Sequence, residues 1–225
     1  MSNNYKIEQA AVIGAGTMGR GIVISLANAG IPVLWLDNNP EMVEAGLKMA
    51  EDTWAQNVAK GRISTGEASL RLSRIQAVND YADLAEVALV IEAVYENLEL
   101  KQEIFRTLDR IVKHGAILAS NTSALDIDAI AAVTARPQDV VGLHFFSPAH
   151  IMKLLEIVRG ADTAPAVLDA AVALGQRIGK ISVVAGNCDG FIGDRMLHTY
   201  VFQARSMVLE GAYPHQVDSA LQGFG

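Results

Sequence analysis

The sequence predicts an α/β fold: a doubly wound sheet with an inserted helical hairpin, followed by the start of an all-helical domain that is cut short. Three observations point to it. Short apolar runs alternate with longer amphipathic stretches, which is the rhythm of βαβ units. The runs are apolar throughout instead of alternating, as parallel strands covered by helices on both faces must be. A glycine-rich turn follows the first run and opens the first amphipathic stretch, where a doubly wound sheet places its ligand crevice.

Taken in order, strands are expected at 10–13, 33–36, 75–78, 88–92, 117–119, 140–145, 154–158 and 182–184, with helices at 18–29 and from Pro40 to Lys60. Between Pro40 and Leu72 the pattern breaks at Gly61 to Thr65, and Ser64 with Glu67 forms a capping box, so a helical hairpin is inserted between strands. Ala185, Gly186 and Asn187 read as a linker. From about Gly190 to Glu210 one long apolar-rich helix follows, and after Pro214 there is room for about one more. This divides the chain into a doubly wound, Rossmann-like domain at 1–187 and an incomplete helical domain at 188–225.

Gly14-Ala15-Gly16-Thr17-Met18-Gly19 sits between an apolar strand and a helix, the context in which this spacing binds a dinucleotide. Gly14 makes the tight turn, Gly16 lets the backbone approach a pyrophosphate, and Gly19 lets helix and strand pack closely, with the helix N-terminus facing the anion. The second strand ends in Asp37, 18 positions after Gly19, close to the spacing at which a carboxylate meets the adenosine ribose. A carboxylate there repels a 2'-phosphate, and Asn38 and Asn39 supply no arginine to offset it, so NAD is favoured over NADP.

With 51% hydrophobic residues in 225, the chain buries a full core, and a disordered or fibrous protein is excluded. A net charge of -7 with scattered Lys and Arg gives no footprint for nucleic acid. No segment approaches the roughly 20 apolar residues of a membrane span, because even Val87 to Val94 carries Glu92. The single cysteine, Cys188, cannot form an intrachain disulfide, which fits a reducing compartment with cytoplasm as the default. The histidines show no ligand spacing, so no metal is expected.

Four motifs then stand together: Asn121-Thr122-Ser123, Gly142-Leu143-His144-Phe145-Phe146-Ser147-Pro148, Met152-Lys153-Leu154-Leu155-Glu156 and Gly190-Phe191-Ile192-Gly193-Asp194-Arg195. With them the chain resembles the 3-hydroxyacyl-CoA dehydrogenase family from about Lys6 to its last residue, and Gly16-Thr17-Met18-Gly19-Arg20-Gly21 with Gly186-Asn187-Cys188-Asp189-Gly190-Phe191 resembles the dehydrogenase part of bifunctional enzymes that also carry an enoyl-CoA hydratase. The resemblance implies NAD as cofactor, an L-3-hydroxyacyl-CoA as substrate in fatty-acid β-oxidation, and a homodimer or a covalent fusion to a hydratase.

It also implies roles. His144 is the general base that takes the 3-hydroxyl proton, Glu156 orients its imidazole, Ser123 hydrogen-bonds the substrate oxygen, Asn121 lies near the nicotinamide, and Glu96 and Lys101 line that half of the cofactor site. The residues themselves agree in part. Histidine exchanges protons near neutrality, and a strand-end position faces the ligand crevice. Glu156 lies in an otherwise apolar strand, where a carboxylate is costly unless paired, and a histidine is a natural partner.

Two features depart from the family. Asp194 stands where the family has an asparagine whose amide donates; an ionised aspartate only accepts, and it brings negative charge toward the departing alkoxide. Reduced turnover with NAD binding preserved is the expectation. The family's helical domain also continues for several more helices, so the apolar face of the helix around Met196 needs another partner, and the chain reads as a part of a longer polypeptide. Two other readings stand beside the dehydrogenase: a non-catalytic NAD-binding module, and a dehydrogenase of a small hydroxy acid without CoA. Lys48, Lys60 and Arg62 on the hairpin read as a solvated face in preference to a CoA phosphate site.

Overall fold

The computed structural model describes residues 5–224. Its elements run β1 (Ala10–Ile13), α1 (Thr17–Asn28), β2 (Val33–Leu36), α2 (Pro40–Ala59), α3 (Thr65–Leu72), β3 (Ile75–Val78), β4 (Leu89–Glu92), α4 (Leu98–Ile111), β5 (Ile117–Ser120), α5 (Ile127–Ala131), β6 (Val140–Phe145), β7 (Leu154–Arg159), α6 (Pro165–Arg177), β8 (Ile181–Gly186), α7 (Gly193–Leu209) and α8 (Pro214–Phe224). All eight strands form one sheet in the order β3-β2-β1-β4-β5-β6-β7-β8. The order reverses between β1 and β4, which puts the crevice above the carboxyl end of β1.

The alternation of side chains along each strand divides the core between the two faces of the sheet. Ala10 and Val12 of β1 pack with Ile22, Val23 and Leu26 of α1, whereas Ala11 and Ile13 pack with Ile104, Phe105 and Leu108 of α4. Both sets are buried, which is why the strand has no polar face. The helical hairpin α2–α3 adds a smaller core against α1, centred on Ile24, Ala27, Ala50 and Trp54. Ser64 caps α3 by accepting from the Glu67 N–H at 3.1 Å, which is half of the expected box.

The structure corrects the strand direction and the linker. β7 runs antiparallel to β6, whereas all other neighbours in the sheet are parallel. The reason is covalent: the stretch between β6 and β7 is too short for the dozen or so residues that a parallel crossover needs. This pairing sets His144 directly opposite Glu156. Ala185 and Gly186 belong to β8, and Asn187 is no free linker: its side chain accepts from the Ile127 N–H at 3.1 Å and donates to Asp126 at 2.6 Å and Asp128 at 2.8 Å. The long helix starts at Gly193, three residues later than expected, because residues 190–192 form a turn in which Phe191 has φ 46° and is buried. α7 buries none of its own residues, and Met196, Leu197, Tyr200 and Phe202 are exposed. Among the described residues no helix is long and apolar enough to cross a membrane.

Candidate active site

The phosphate turn is held by the end of β2. The Gly14 N–H donates to the Leu36 carbonyl at 2.8 Å and the Ala15 N–H to Asp37 Oδ2 at 2.6 Å. Gly14 has φ +107°, and a Cβ there would meet the Ala93 carbonyl oxygen at 2.5 Å, so only glycine fits the turn. A Cβ on Gly19 would lie 2.0 Å from the Gly14 oxygen, which is the close approach of helix to strand that the motif needs. A Cβ on Gly16, by contrast, meets nothing within 4 Å. Gly16 stands at the cap position before α1 and has no side chain to cap it, so the first N–H groups of the helix are left for an anion.

These features fit a dinucleotide. Gly14, Gly16, Thr17, Met18 and Asp37 line one cleft of about 850 Å³, together with Tyr81, Tyr95 and Leu100. Gly19 lies beneath it. Each Asp37 oxygen already accepts one backbone N–H, from Ala15 and from Asn39, and each keeps a lone pair for a ribose hydroxyl.

A second cluster lies at the ends of β6 and β7. His144 is 5% exposed and Glu156 1%, and the imidazole Nδ1 is 2.8 Å from Glu156 Oε2. A carboxylate can only accept, so Nδ1 donates to Glu156, and in the neutral ring the lone pair then lies on Nε2. The other carboxylate oxygen, Oε1, accepts from the Gly193 N–H at 2.8 Å and the Ile192 N–H at 3.2 Å. Glu156 thus caps α7 and orients His144 at once. The ring is packed by Phe146, at 4.4 Å between centroids, and by Phe191, at 5.7 Å. A Cβ on Gly193 would strike the Phe146 ring at 2.8 Å. Asp194 Oδ2 lies 3.8 Å from Nε2, beyond hydrogen-bond length but close enough to act as a charge.

Between the two clusters runs a polar chain, buried at Glu92, Lys101, Ser120 and Thr122, that sequence spacing does not assemble. Glu92, fully buried at the end of β4, accepts from Lys101 Nζ, from Ser120 Oγ and from the Val94 N–H, each at 2.7 Å. Lys101 is 1% exposed, so it does not line the cleft as expected; it supports Glu96 from beneath, with Oε2 at 3.3 Å. Glu96 in turn accepts from Thr122 Oγ1, from the Ser123 N–H at 2.9 Å and from Ser123 Oγ at 3.3 Å. Burial pushes the Glu96 carboxyl up, but the hydrogen bonds from Thr122 and Ser123 and the Lys101 charge outweigh it and hold it below its ordinary value. Asn121 Oδ1 accepts from the Phe145 N–H at 2.9 Å, tying the Ser123 loop to the residue after His144. Glu92 had been legible by the rule that singled out Glu156: a carboxylate in an apolar strand must be paired.

Comparisons with known proteins place the chain among its relatives. The family model described as "3-hydroxyacyl-CoA dehydrogenase, NAD binding domain" matches residues 9–188. A peroxisomal bifunctional enzyme of Danio rerio is 48% identical over 226 residues, covering 99% of this chain and 31% of that protein. Among solved structures, 3-hydroxybutyryl-CoA dehydrogenase from Escherichia coli K12 has a TM-score of 0.89 at 36% identity, covering 93% of this chain and 44% of that one. (S)-3-hydroxybutyryl-CoA dehydrogenase from Ralstonia eutropha has a TM-score of 0.90 at 34% identity, covering 94% and 75%. The chain therefore spans about a third of the length of such curated relatives, between 30% and 31%.

Proposed function

The chain belongs to the 3-hydroxyacyl-CoA dehydrogenase family, in the part that binds NAD, and from that premise we propose that it oxidises an L-3-hydroxyacyl-CoA at C3 with His144 as general base. The observation that carries this reading is the His144–Glu156 contact at 2.8 Å, which fixes the tautomer and leaves Nε2 free at a strand end. NAD, when bound, supplies the hydride acceptor. The glycine turn and the open start of α1 hold its diphosphate, and Asp37 holds its adenosine ribose.

The protein's own part is to place and move a proton. His144 Nε2 accepts the proton of the 3-hydroxyl as the C–H bond breaks, and the imidazolium that forms is stabilised by Glu156. Ser123 stays anchored to Glu96 through its backbone N–H, and its single hydroxyl hydrogen turns from Glu96 to the substrate oxygen when substrate binds. Lys101 and Glu92 act one layer behind, as supports for Glu96. The chain's two parts divide at residues 187 and 188, with Asn187 anchored to the start of α5 on the cofactor side.

Asp194 is the feature that tunes this site. Its carboxylate faces Nε2 at 3.8 Å and adds negative charge where an alkoxide develops, with no donor to offset it. Asp194→Asn is expected to raise kcat by about tenfold, a fraction of the roughly 100-fold that one well-placed donor can supply, with the NAD dissociation constant unchanged. A variant no faster than the parent removes this account of Asp194. Fusion to an enoyl-CoA hydratase accords with the word "bifunctional" in the name of the Danio rerio relative.

The direct test mixes the purified chain with NAD and 3-hydroxybutyryl-CoA, follows NADH absorbance, and measures NAD binding by calorimetry on the same sample. Turnover supports the dehydrogenase. Tight NAD binding without NADH formation favours a non-catalytic binding module.

A further inference from the structure

We propose that Trp35 is a positioning residue for the cofactor, its indole N–H fixing the Gly14 carbonyl, and that residue 46 is glycine because the ring needs the space. The inference rests on the reading of residues 14–19 as the NAD diphosphate turn. Trp35 Nε1 donates to the Gly14 oxygen at 3.0 Å, while the Gly14 N–H is held by the Leu36 carbonyl at 2.8 Å and the Ala15 N–H by Asp37 at 2.6 Å. Consecutive residues of one strand end thus grip both polar groups of Gly14 and the N–H after it. The same Gly14 oxygen is the atom that a Cβ on Gly19 would strike at 2.0 Å, so the first turn of α1 rests on it. The direction of this carbonyl therefore sets where the open N-terminus of α1 points.

An apolar strand residue would serve the core alone. Trp35 is fully buried, and its register partners Val12 and Ala77 are small. Phenylalanine would fill most of the same volume but would leave the Gly14 oxygen without its indole donor, and a buried carbonyl without a partner is costly. Gly46 points the same way. It lies inside α2, where glycine is a poor choice, yet a Cβ there would sit 2.2 Å from Trp35 Cη2 and 3.0 Å from Cζ2 and Cζ3. An indole ring is rigid and cannot fold away. A mechanical line therefore runs from α2 through Trp35 to the diphosphate turn.

Trp35→Phe keeps the ring and removes the donor. NAD affinity, measured by calorimetry, is expected to fall roughly five- to tenfold, the worth of one hydrogen bond to a positioned group. The KM for NAD should rise in parallel, with kcat at saturating NAD and the KM for acyl-CoA unmoved. A purely structural role would lower the thermal midpoint and leave the KM for NAD where it was. Gly46→Ala should weaken NAD in the same direction by pushing the ring, and should lose that effect in a Trp35→Leu background, where the added methyl has room. If Gly46→Ala does not fold, Trp35→Phe decides alone. Unchanged NAD affinity in Trp35→Phe, or an equal Gly46→Ala penalty in both backgrounds, overturns the proposal. A parent chain that binds no NAD removes the NAD reading and the proposal together, whereas normal parent binding with unmoved variants removes the proposal only.

Discussion

α1, α6 and α7 begin without a side-chain cap of their own, and α1 and α7 meet that lack in opposite ways. At α7 the N–H groups of Ile192 and Gly193 are taken by Glu156, a carboxylate from β7 inside the same fold. At α1 nothing lies within 4 Å of where a Cβ on Gly16 would be, and the first N–H groups face an open cleft. The physics is common to both, because a helix start presents donors and a partial positive charge that favour an anion. What differs is who supplies the anion. In the half that holds His144 it is Glu156, which also orients that ring; in the half that holds the glycine turn it would, under the proposed function, be the NAD diphosphate. The first should therefore be built before any ligand arrives, and the second should gain order and stability on binding, by about 2.7 kcal/mol at a ligand concentration 100 times the dissociation constant.

The largest effect expected is at the base itself. His144→Gln should lower kcat by about 100- to 10,000-fold, the usual worth of a positioned general base, with NAD affinity by calorimetry unchanged. Loss of NAD binding in this variant would mean that the two halves are not separable. Glu156→Gln comes next. The amide can accept from α7 or from His144, but its NH2 must face one of them, so kcat should fall by about 100-fold and stability by a few kcal/mol, as when one partner of a buried polar pair is removed. Hydrogen exchange should quicken at Ile192 and Gly193 and stay unchanged at the start of α1.

Gly16→Val makes the complementary break. Gly16 has φ -72° and open space, so a side chain fits without strain and the thermal midpoint should hold. NAD affinity should nevertheless fall by about tenfold or more, because the added methyls stand where the diphosphate must approach the backbone. A fall in stability with NAD affinity intact would contradict the contrast between the two helix starts.

Much of this contrast was legible in the sequence, and the illegible part has a common cause. β1, β2, β3 and β6 fall on the expected residues because apolar runs stop at glycine or polar residues. Gly14, Gly16, Gly19 and Asp37 could be placed from spacing alone, since the turn, the helix start and the second strand are local features. His144 and Glu156 could be paired in outline, but the reason they face each other is that β7 runs back along β6, which depends on the shortness of a connection. The capping of α7 by Glu156 joins residues 36 and 37 positions apart, and the Trp35 contact with Gly14 joins residues 21 apart. No periodicity reports such side-chain contacts across the fold. Lys101 shows the converse: the family resemblance implied a residue lining the cofactor site, and the buried Glu92 beneath it, another unpaired-looking carboxylate in an apolar strand, drew it inward.

The smallest expected effect concerns the Ser123 loop, which lies between the two halves and is held by Glu96, an exposed carboxylate. Burial alone would raise this group, but Thr122, Ser123 and Lys101 lower it below the ordinary glutamate value. A depressed carboxylate contributes stability that is complete above its unfolded value and is lost as pH falls through its folded value. The loop should therefore keep its geometry down through the usual carboxylate range and loosen only at more acid pH. The amide resonance of Ser123 reads this directly, since its N–H donates to Glu96, and its titration midpoint should lie below that of an exposed glutamate. Glu96→Gln should abolish the transition. A Ser123 amide that titrates at or above the ordinary value would mean that the loop is not anchored through Glu96, and the self-contained part of the site would shrink to His144, Glu156 and the start of α7.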